Sequence, residues 1–293
     1  MAVHFNSEDF VILTVRVKVF ADYLRERHLS ASQFALLLKL AGSENGTGTT
    51  ANLATFLGTT AVAVTQALND MEGRRLIMRR TSASDGRAKE IAITRAGLAF
   101  LEEADRDLYA VLFGIFNPSG EDANVATLHE GLRLSALLGH RWPDSEIAAY
   151  PSCTCLASVN FYLKDAEAAM RAVADVTASE GRILQFLGER GVPLRIGEIA
   201  HELQLPAATI TRSCKKLVEA GLLSREDDER DRKAVPMALT PAGATETARI
   251  DAALDKLAER EYWSVFAGPH REIAYAIREI FRNVLAEETD ARS

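Results

Sequence analysis

The chain repeats itself. Ser30-Ala31-Ser32-Gln33 matches Thr177-Ala178-Ser179-Glu180 at an offset of 147, and after a one-residue gap the offset settles at 146. Asn52-Leu53-Ala54 then meets Glu198-Ile199-Ala200, Val64-Thr65 meets Ile210-Thr211, and Leu76-Ile77 meets Leu222-Leu223. Ile93-Thr94-x-x-Gly97 meets Leu239-Thr240-x-x-Gly243. A register held through roughly 70 residues per half with one indel is a poor candidate for chance, and it obliges both halves to fold alike. At 293 residues the chain has room for two ordinary domains.

Each half reads as the same string of elements. Ser30 with Gln33, and Thr177 with Glu180, are capping boxes that satisfy free N–H groups at a helix start. The helices they open carry apolar residues at helical spacing: Phe34, Leu37, Leu38 and Ala41, then Ile183, Leu184 and Leu187. Two short helices split by a tight turn follow, at 51–57 and 61–73, then at 197–203 and 207–219. Pro206 suits the start of the last, where a missing N–H costs nothing. Strand-like runs come next, 76–81 and 89–94 flanking Ser82 to Arg87, and 222–226 and 234–239 flanking Asp227 to Lys233. Asp85-Gly86 between apolar runs is a hairpin signal. A helix, a helix-turn-helix and a hairpin make a winged helix.

Long helices at 96–116 and 242–266 end at proline breaks, and further helices follow at 121–139 and 270–287. A helix also precedes each module, at 8–27 and 158–175. The first contains Val11 to Val19, whose alternation resembles a strand. Phe10, Leu13, Val17, Phe20 and Leu24 fall on one helical face, which decides for helix. The expected architecture is mainly α with small β-wings, two winged helix-turn-helix domains in tandem forming a pseudo-dimer. Residues 1–140 and 158–293 are the two domains, and 141–157, with Trp142-Pro143 and Tyr150-Pro151-Ser152, the linker.

The second half resembles the MarR family of bacterial regulators. The resemblance rests on Ile199-Ala200-x-x-Leu203, Thr209-Ile210-Thr211-Arg212, Leu217-x-x-Ala220-Gly221-Leu222-Leu223, Asp231-Arg232-Lys233 and Leu239-Thr240-Pro241-Ala242-Gly243. The first half carries less of it: Leu53-Ala54, Val64-Thr65, Leu76-Ile77, Asp85-Gly86-Arg87 and Ile93-Thr94-x-x-Gly97. The resemblance implies duplex promoter DNA as partner, and a small, often aromatic acid as effector. It also implies terminal helices that pair modules, which a tandem chain can do within itself.

A recognition helix reaches base edges from its N-terminal turns. In the second half Thr209, Thr211, Arg212 and Lys215 face outward, with Ile210, Cys214 and Leu217 inward. The first helix departs from the family pattern, offering Ala61, Val62 and Ala63 where polar groups are usual. Gln66 and Asn69 can still contact adenine, and Thr60 and Thr65 phosphate. In the wings Arg87, with Asp85 poised to pair with it or with Arg79, and the cluster Arg230, Arg232 and Lys233 resemble the family's minor-groove fingers, and Arg79 is a further candidate for DNA contact. The net charge of −7 speaks against phosphate contact, but Arg74, Arg75, Arg79, Arg80, Arg87 and Lys89 are concentrated locally against Asp85 alone. Phe10, Arg16, Phe20, Tyr23, Phe161, Tyr162 and Arg171 are candidates to line effector clefts, and equally candidates for ordinary core.

The remaining composition narrows the class. The chain is 47% hydrophobic, enough for real cores, yet no run approaches the roughly 18 apolar residues of a membrane span. No basic start precedes an apolar stretch, so a cytoplasmic location is expected. Three cysteines, two as Cys153-x-Cys155, form no disulfide framework and lack zinc spacing. Six scattered histidines, no phosphate loop and no carboxylate pair leave no catalytic constellation, metal or cofactor to expect. The leading function is a transcriptional repressor released by a small effector. The alternatives are a thiol-based redox switch at Cys153 or Cys155, and a protein-interaction adaptor that has lost DNA binding.

Overall fold

The computed structural model describes residues 4–81, 89–118, 120–226 and 236–290. Its helices are α1 (Ser7–Glu26), α2 (Ala31–Ala41), α3 (Thr50–Leu57), α4 (Ala61–Gly73), α5 (Arg95–Phe116), α6 (Asp122–Ala136), α7 (Asp144–Ala149), α8 (Pro151–Val173), α9 (Ala178–Arg190), α10 (Ile196–Glu202), α11 (Ala207–Glu219), α12 (Pro241–Glu261) and α13 (Arg271–Asp290). Its strands are β1 (Thr47–Gly48), β2 (Ile77–Thr81), β3 (Lys89–Ile93), β4 (Leu223–Arg225) and β5 (Met237–Leu239). The segment Val11 to Val19 is helical, in α1, as the burial of Phe10, Leu13, Phe20 and Leu24 requires.

The chain divides into two compact units, residues 16–161 with 272–293, and residues 1–15 with 162–271. The first contains the 29–94 repeat, the second its counterpart at 176–240. Each unit also takes in a terminal segment that lies, in sequence, with the other repeat.

In the first unit Ser30 caps α2: the Gln33 N–H donates to Ser30 Oγ at 3.1 Å, and the Ser30 N–H to Gln33 Oε1 at 2.8 Å. The apolar face that begins there, Phe34, Leu37 and Leu38, is wholly buried where α2 packs on α3 and α4, whose Leu53, Val64, Leu68 and Met71 are buried too. Gly58, at φ +62°, turns α3 into α4 in the left-handed region that a residue without Cβ adopts freely. The wing pairs β2 with β3 antiparallel, Ile77 opposite Ile93 and Thr81 opposite Lys89, and β1 adds to the other edge of β3.

The second unit repeats this construction. The Thr177 N–H donates to Glu180 Oε2 at 2.8 Å and the Glu180 N–H to Thr177 Oγ1 at 3.3 Å, closing the second capping box. Ile183, Leu184, Leu187, Ile199, Ile210, Cys214, Leu217 and Ile250 form its core. Its wing pairs β4 with β5, and Leu194 bridges Met237 where β1 stands in the first unit.

The stretch 141–157 is not an open linker. Pro143 is the N-cap of α7 and Pro151 the first residue of α8, positions where no ladder N–H is lost. Ser152, Cys153, Thr154 and Cys155 are fully buried. Trp142 Nε1 donates to Ser158 Oγ at 2.8 Å, and Ser158 Oγ to the Ala136 carbonyl at 2.9 Å. Glu146 is 2% exposed, lies against Gly42, and is pushed up to about 7 by burial.

Candidate DNA-binding surface

The recognition helix of the second module, α11, has two clean faces. Ile210, Ser213, Cys214 and Leu217 are buried against α9 and α10, because an i, i+3, i+4, i+7 spacing puts them on one side. Thr211, Arg212 and Lys215 are exposed on the other, and Thr209 is half-exposed. Thr211 Oγ1 donates back to the Ala207 carbonyl at 2.8 Å, leaving its lone pairs outward. Lys215 Nζ lies 3.8 Å from Glu219 Oε1, a surface pair that water and phosphate compete for easily. Arg212 is exposed and has no partner among the described residues.

The recognition helix of the first module, α4, has the same inward set, Val64, Leu68 and Met71, but a different outward one. Thr60 is its N-cap, accepting the Ala63 N–H at 3.2 Å, and Thr65 Oγ1 donates to the Ala61 carbonyl at 2.8 Å. Gln66 is exposed. Val62 is 78% exposed, so the N-terminal turn presents an apolar surface with no core to serve. Asn69 and Arg79 are tied to one another: Arg79 Nη2 donates to Asn69 Oδ1 at 2.7 Å. Arg79 Nη1 pairs with Glu72, and the Arg79 N–H donates to Glu72 Oε1 at 3.0 Å.

The Arg79 cluster pins the root of the wing to α4 and neutralises a cation that the sequence offered to DNA. Arg80 is similarly paired across the hairpin, its Nε donating to Glu90 Oε2 at 3.0 Å. The two glutamates were the part of the surface that sequence reasoning missed. Their signal was present only as acidic residues on the helix before β2 and the strand beside it. Arg87, Arg230, Arg232 and Lys233 lie outside the described residues.

Most of the aromatic and basic candidates of the opening helices are buried against neighbouring side chains. Phe20 meets Phe34 edge-on at 5.1 Å, and the Arg27 guanidinium stacks 3.6 Å over buried Tyr23. Arg16 is buried, donates to Ser135 Oγ at 2.9 Å and lies 5.2 Å over the Phe116 ring. Phe161 is half-buried beneath Arg141, 4.3 Å from guanidinium to ring centre. In the other unit, Phe10 and Tyr162 are buried, the Arg182 guanidinium lies 5.3 Å over Phe10, and Arg171 is exposed and paired with Glu167.

The cysteines are placed to be inert. Asp105 Oδ1 accepts the N–H groups of Ser152 and Cys153 at 2.8 and 2.9 Å, anchoring the first turn of α8 with both thiols inside. Burial pushes Cys153 well above the ordinary thiol range, helped by the Asp105 carboxylate, and Cys155 up to about 11. A thiol is not a nucleophile until it ionises. Under native conditions Cys153 and Cys155 are therefore expected to resist both peroxide and a maleimide, and to label only as the protein is unfolded with urea. Mass spectrometry of the labelled peptides checks this, and fast labelling in buffer would reinstate a redox switch.

Two such units, each a three-helix core with a helix-turn-helix and an antiparallel wing, define a tandem winged-helix protein. MarR-family models match residues 29–89 and, again, residues 174–234. The chain thus carries two MarR-family modules in one polypeptide. Solved structures similar to it include CouR from Rhodococcus jostii RHA1 bound to p-coumaroyl-CoA, at 19% identity and a TM-score of 0.38, covering 43% of this chain and 85% of that one. Another is a MarR transcriptional regulator from Methanosarcina mazei Go1, at 21% identity and a TM-score of 0.39, covering 43% and 90%. The S. aureus MepR–DNA complex matches at 20% identity and a TM-score of 0.30, covering 34% and 82%. No curated protein sequence matches the chain.

Proposed function

We propose that this chain is a sequence-specific regulator that binds duplex promoter DNA as an intramolecular pseudo-dimer, one recognition helix per module, and represses until a small effector releases it. The observation that carries the reading is α11: its inner face is sunk in the core while Thr211, Arg212 and Lys215 stand exposed where a groove-reading helix needs them. The α4 face reads differently. Gln66 suits adenine, and exposed Val62 suits a thymine methyl group, so an A·T-rich half-site falls to the first module.

The test is binding to the chain's own upstream region as salt is varied. With Arg79 held by Glu72, about five cations remain (Arg87, Arg212, Lys215, Arg230 and Arg232), and log K is expected to fall with log salt at a slope of about −4 to −5. Light scattering of the complex is expected to give one chain per duplex site. Two chains per site would sink the intramolecular pseudo-dimer and leave the DNA binding. The second reading, a protein-interaction adaptor, draws on the apolar turn Ala61-Val62-Ala63, and a flat salt dependence would favour it.

A further inference from the structure

The first compact unit buries a carboxyl group that has nothing to pair with. Glu146, on α7, is 2% exposed, and both of its carboxyl oxygens are sealed from solvent without a hydrogen-bond partner. They lie in the notch left by the absent side chain of Gly42, where a β-carbon would overlap Oε2. Gly42 is the C-cap of α2. The carboxyl group therefore meets the end of a helix where unsatisfied carbonyls gather and the dipole is negative. An ionised carboxylate is misplaced there on three counts: it is desolvated, it faces the wrong pole and it finds no donor. A neutral carboxylic acid suits the place, because it has an O–H to donate to a carbonyl.

The surroundings do not compensate the charge. Among the described residues Lys39, on α2, is the cation that faces Glu146, and its ammonium lies 5.3 Å over the Phe56 ring instead of in an ion pair. Tyr150, the C-cap of α7, is the other titratable group in its field. Burial first, and then Glu102 and Cys153, raise that phenol above its usual range, so it stays neutral while Glu146 titrates. Asp144, on the same helix, is exposed to water. Burial lifts Glu146 from its ordinary 4.5 to about 7, with Lys39 pulling the other way. We propose that Glu146 is a protonation-controlled latch: as the neutral acid it seats α7 in the Gly42 notch of α2, and on ionising it lets α7 come off that helix. The seated state holds the proton more tightly than the released one. Seating is therefore complete below pH 4.5, weakens as the pH rises to about 7 and weakens no further above that. The latch lies wholly within residues 16–161 and does not depend on DNA binding.

The amides of Ile147 and Tyr150 report the latch, since they donate to the Pro143 and Glu146 carbonyls at 3.1 and 2.9 Å. Their hydrogen-exchange protection is each rate divided into that of the unfolded peptide at the same pH. In the wild-type chain it is expected to fall about 300-fold between pH 4.5 and 7, the factor that the lifted carboxyl implies. Glu146→Gln keeps the shape but cannot ionise, and is expected to hold the protection constant over that range. Gly42→Ala fills the notch, and is expected to give low protection at every pH. Leu108, buried in α5, is the control and is expected to show no such fall. The Glu146 carboxyl carbon, followed by NMR in the unmutated chain, is expected to titrate near 7, a measurement that survives misfolding of either variant. The proposal is overturned by titration of that carbon at its ordinary value, by constant protection in the wild-type chain, or by a fall that persists in Glu146→Gln. An equal fall at Leu108 overturns it too, because the whole unit and not α7 would then be opening.

Discussion

Replacing Gly243 with alanine is expected to destabilise the second unit by about 2–3 kcal/mol, and Gly97→Ala to do the same to the first. Both glycines sit in the opening turn of a long helix, α12 or α5, where that turn presses on the root of the wing. A β-carbon at Gly243 would overlap the Leu222 carbonyl oxygen, and one at Gly97 the Leu76 carbonyl oxygen. Neither oxygen is free to retreat. Leu222 O accepts the Thr240 N–H at 3.1 Å, and Leu76 O accepts the Thr94 N–H at 3.0 Å. The preceding threonines lock the same corner: Thr240 Oγ1 accepts the Gly243 N–H at 3.0 Å and donates to the Gly221 carbonyl at 2.7 Å. Thr94 does likewise with Gly97 at 3.0 Å and the Arg75 carbonyl at 2.7 Å. Of the two tryptophans, Trp142 belongs to the first unit and Trp263 to the second, so single-tryptophan forms report each unfolding separately in urea. Gly114→Ala is the control. That glycine is inside α5 with nothing near its missing β-carbon, and alanine there is expected to stabilise by up to about 1 kcal/mol. If Gly97→Ala and Gly243→Ala both cost less than about 0.5 kcal/mol, the helix starts can slide off the wing roots and the proposed clash is not limiting.

The Thr-x-x-Gly corner shows why the repeat was the most informative feature of the sequence. Local chemistry fixes it: a hydroxyl caps the helix and an absent side chain admits a carbonyl, so it could be read without knowing the tertiary fold. The capping boxes at Ser30 and Thr177 were legible for the same reason. The segment 141–157 was assigned as a linker although it forms helices α7 and α8, and its prolines could not decide the matter, since proline stops a helix or starts one according to which side the chain continues on. The assignment of residues 1–15 and 272–293 to the compact unit of the opposite repeat left no mark in the sequence, since an apolar helix face does not name its partner. The basic residues around the first wing were counted as free cations, and Arg79 and Arg80 proved to be held by Glu72 and Glu90. Charge pairing of that kind joins residues seven and ten apart on different elements, beyond the reach of any local rule. The backbone tells one more such story. Gly58 and Gln204 are equivalent positions and both lie at positive φ, as do Arg75 and Gly221, so the repeat conserves the turn while exchanging which residue bears its strain.

Inequality of the two heads leads to the other large expected effect, a directional operator. A homodimer presents one helix twice and reads a palindrome. In this chain α11 offers Arg212 with Thr211 and Lys215, whereas α4 offers Gln66 beside exposed Val62 and carries no lysine or arginine at all. Arginine prefers the paired acceptors of guanine, glutamine the acceptor and donor of adenine, and valine the methyl of thymine. The selected site is therefore expected to be an imperfect repeat, with guanine in the half under the second module and an A·T-rich half under the first. Arg212→Ala is expected to cost about 1–3 kcal/mol, roughly 5- to 150-fold in affinity, and to relax the consensus in the guanine half alone. Gln66→Ala should cost less and act on the other half, and Asn69→Ala less again, because Asn69 Oδ1 already accepts a hydrogen bond from Arg79. Random-sequence selection followed by titration of each variant against each half-site separates these effects. A perfect palindrome, with Arg212→Ala and Gln66→Ala weakening both arms equally, would mean that the heads are interchangeable and that the outward faces of α4 and α11 are not what reads the bases.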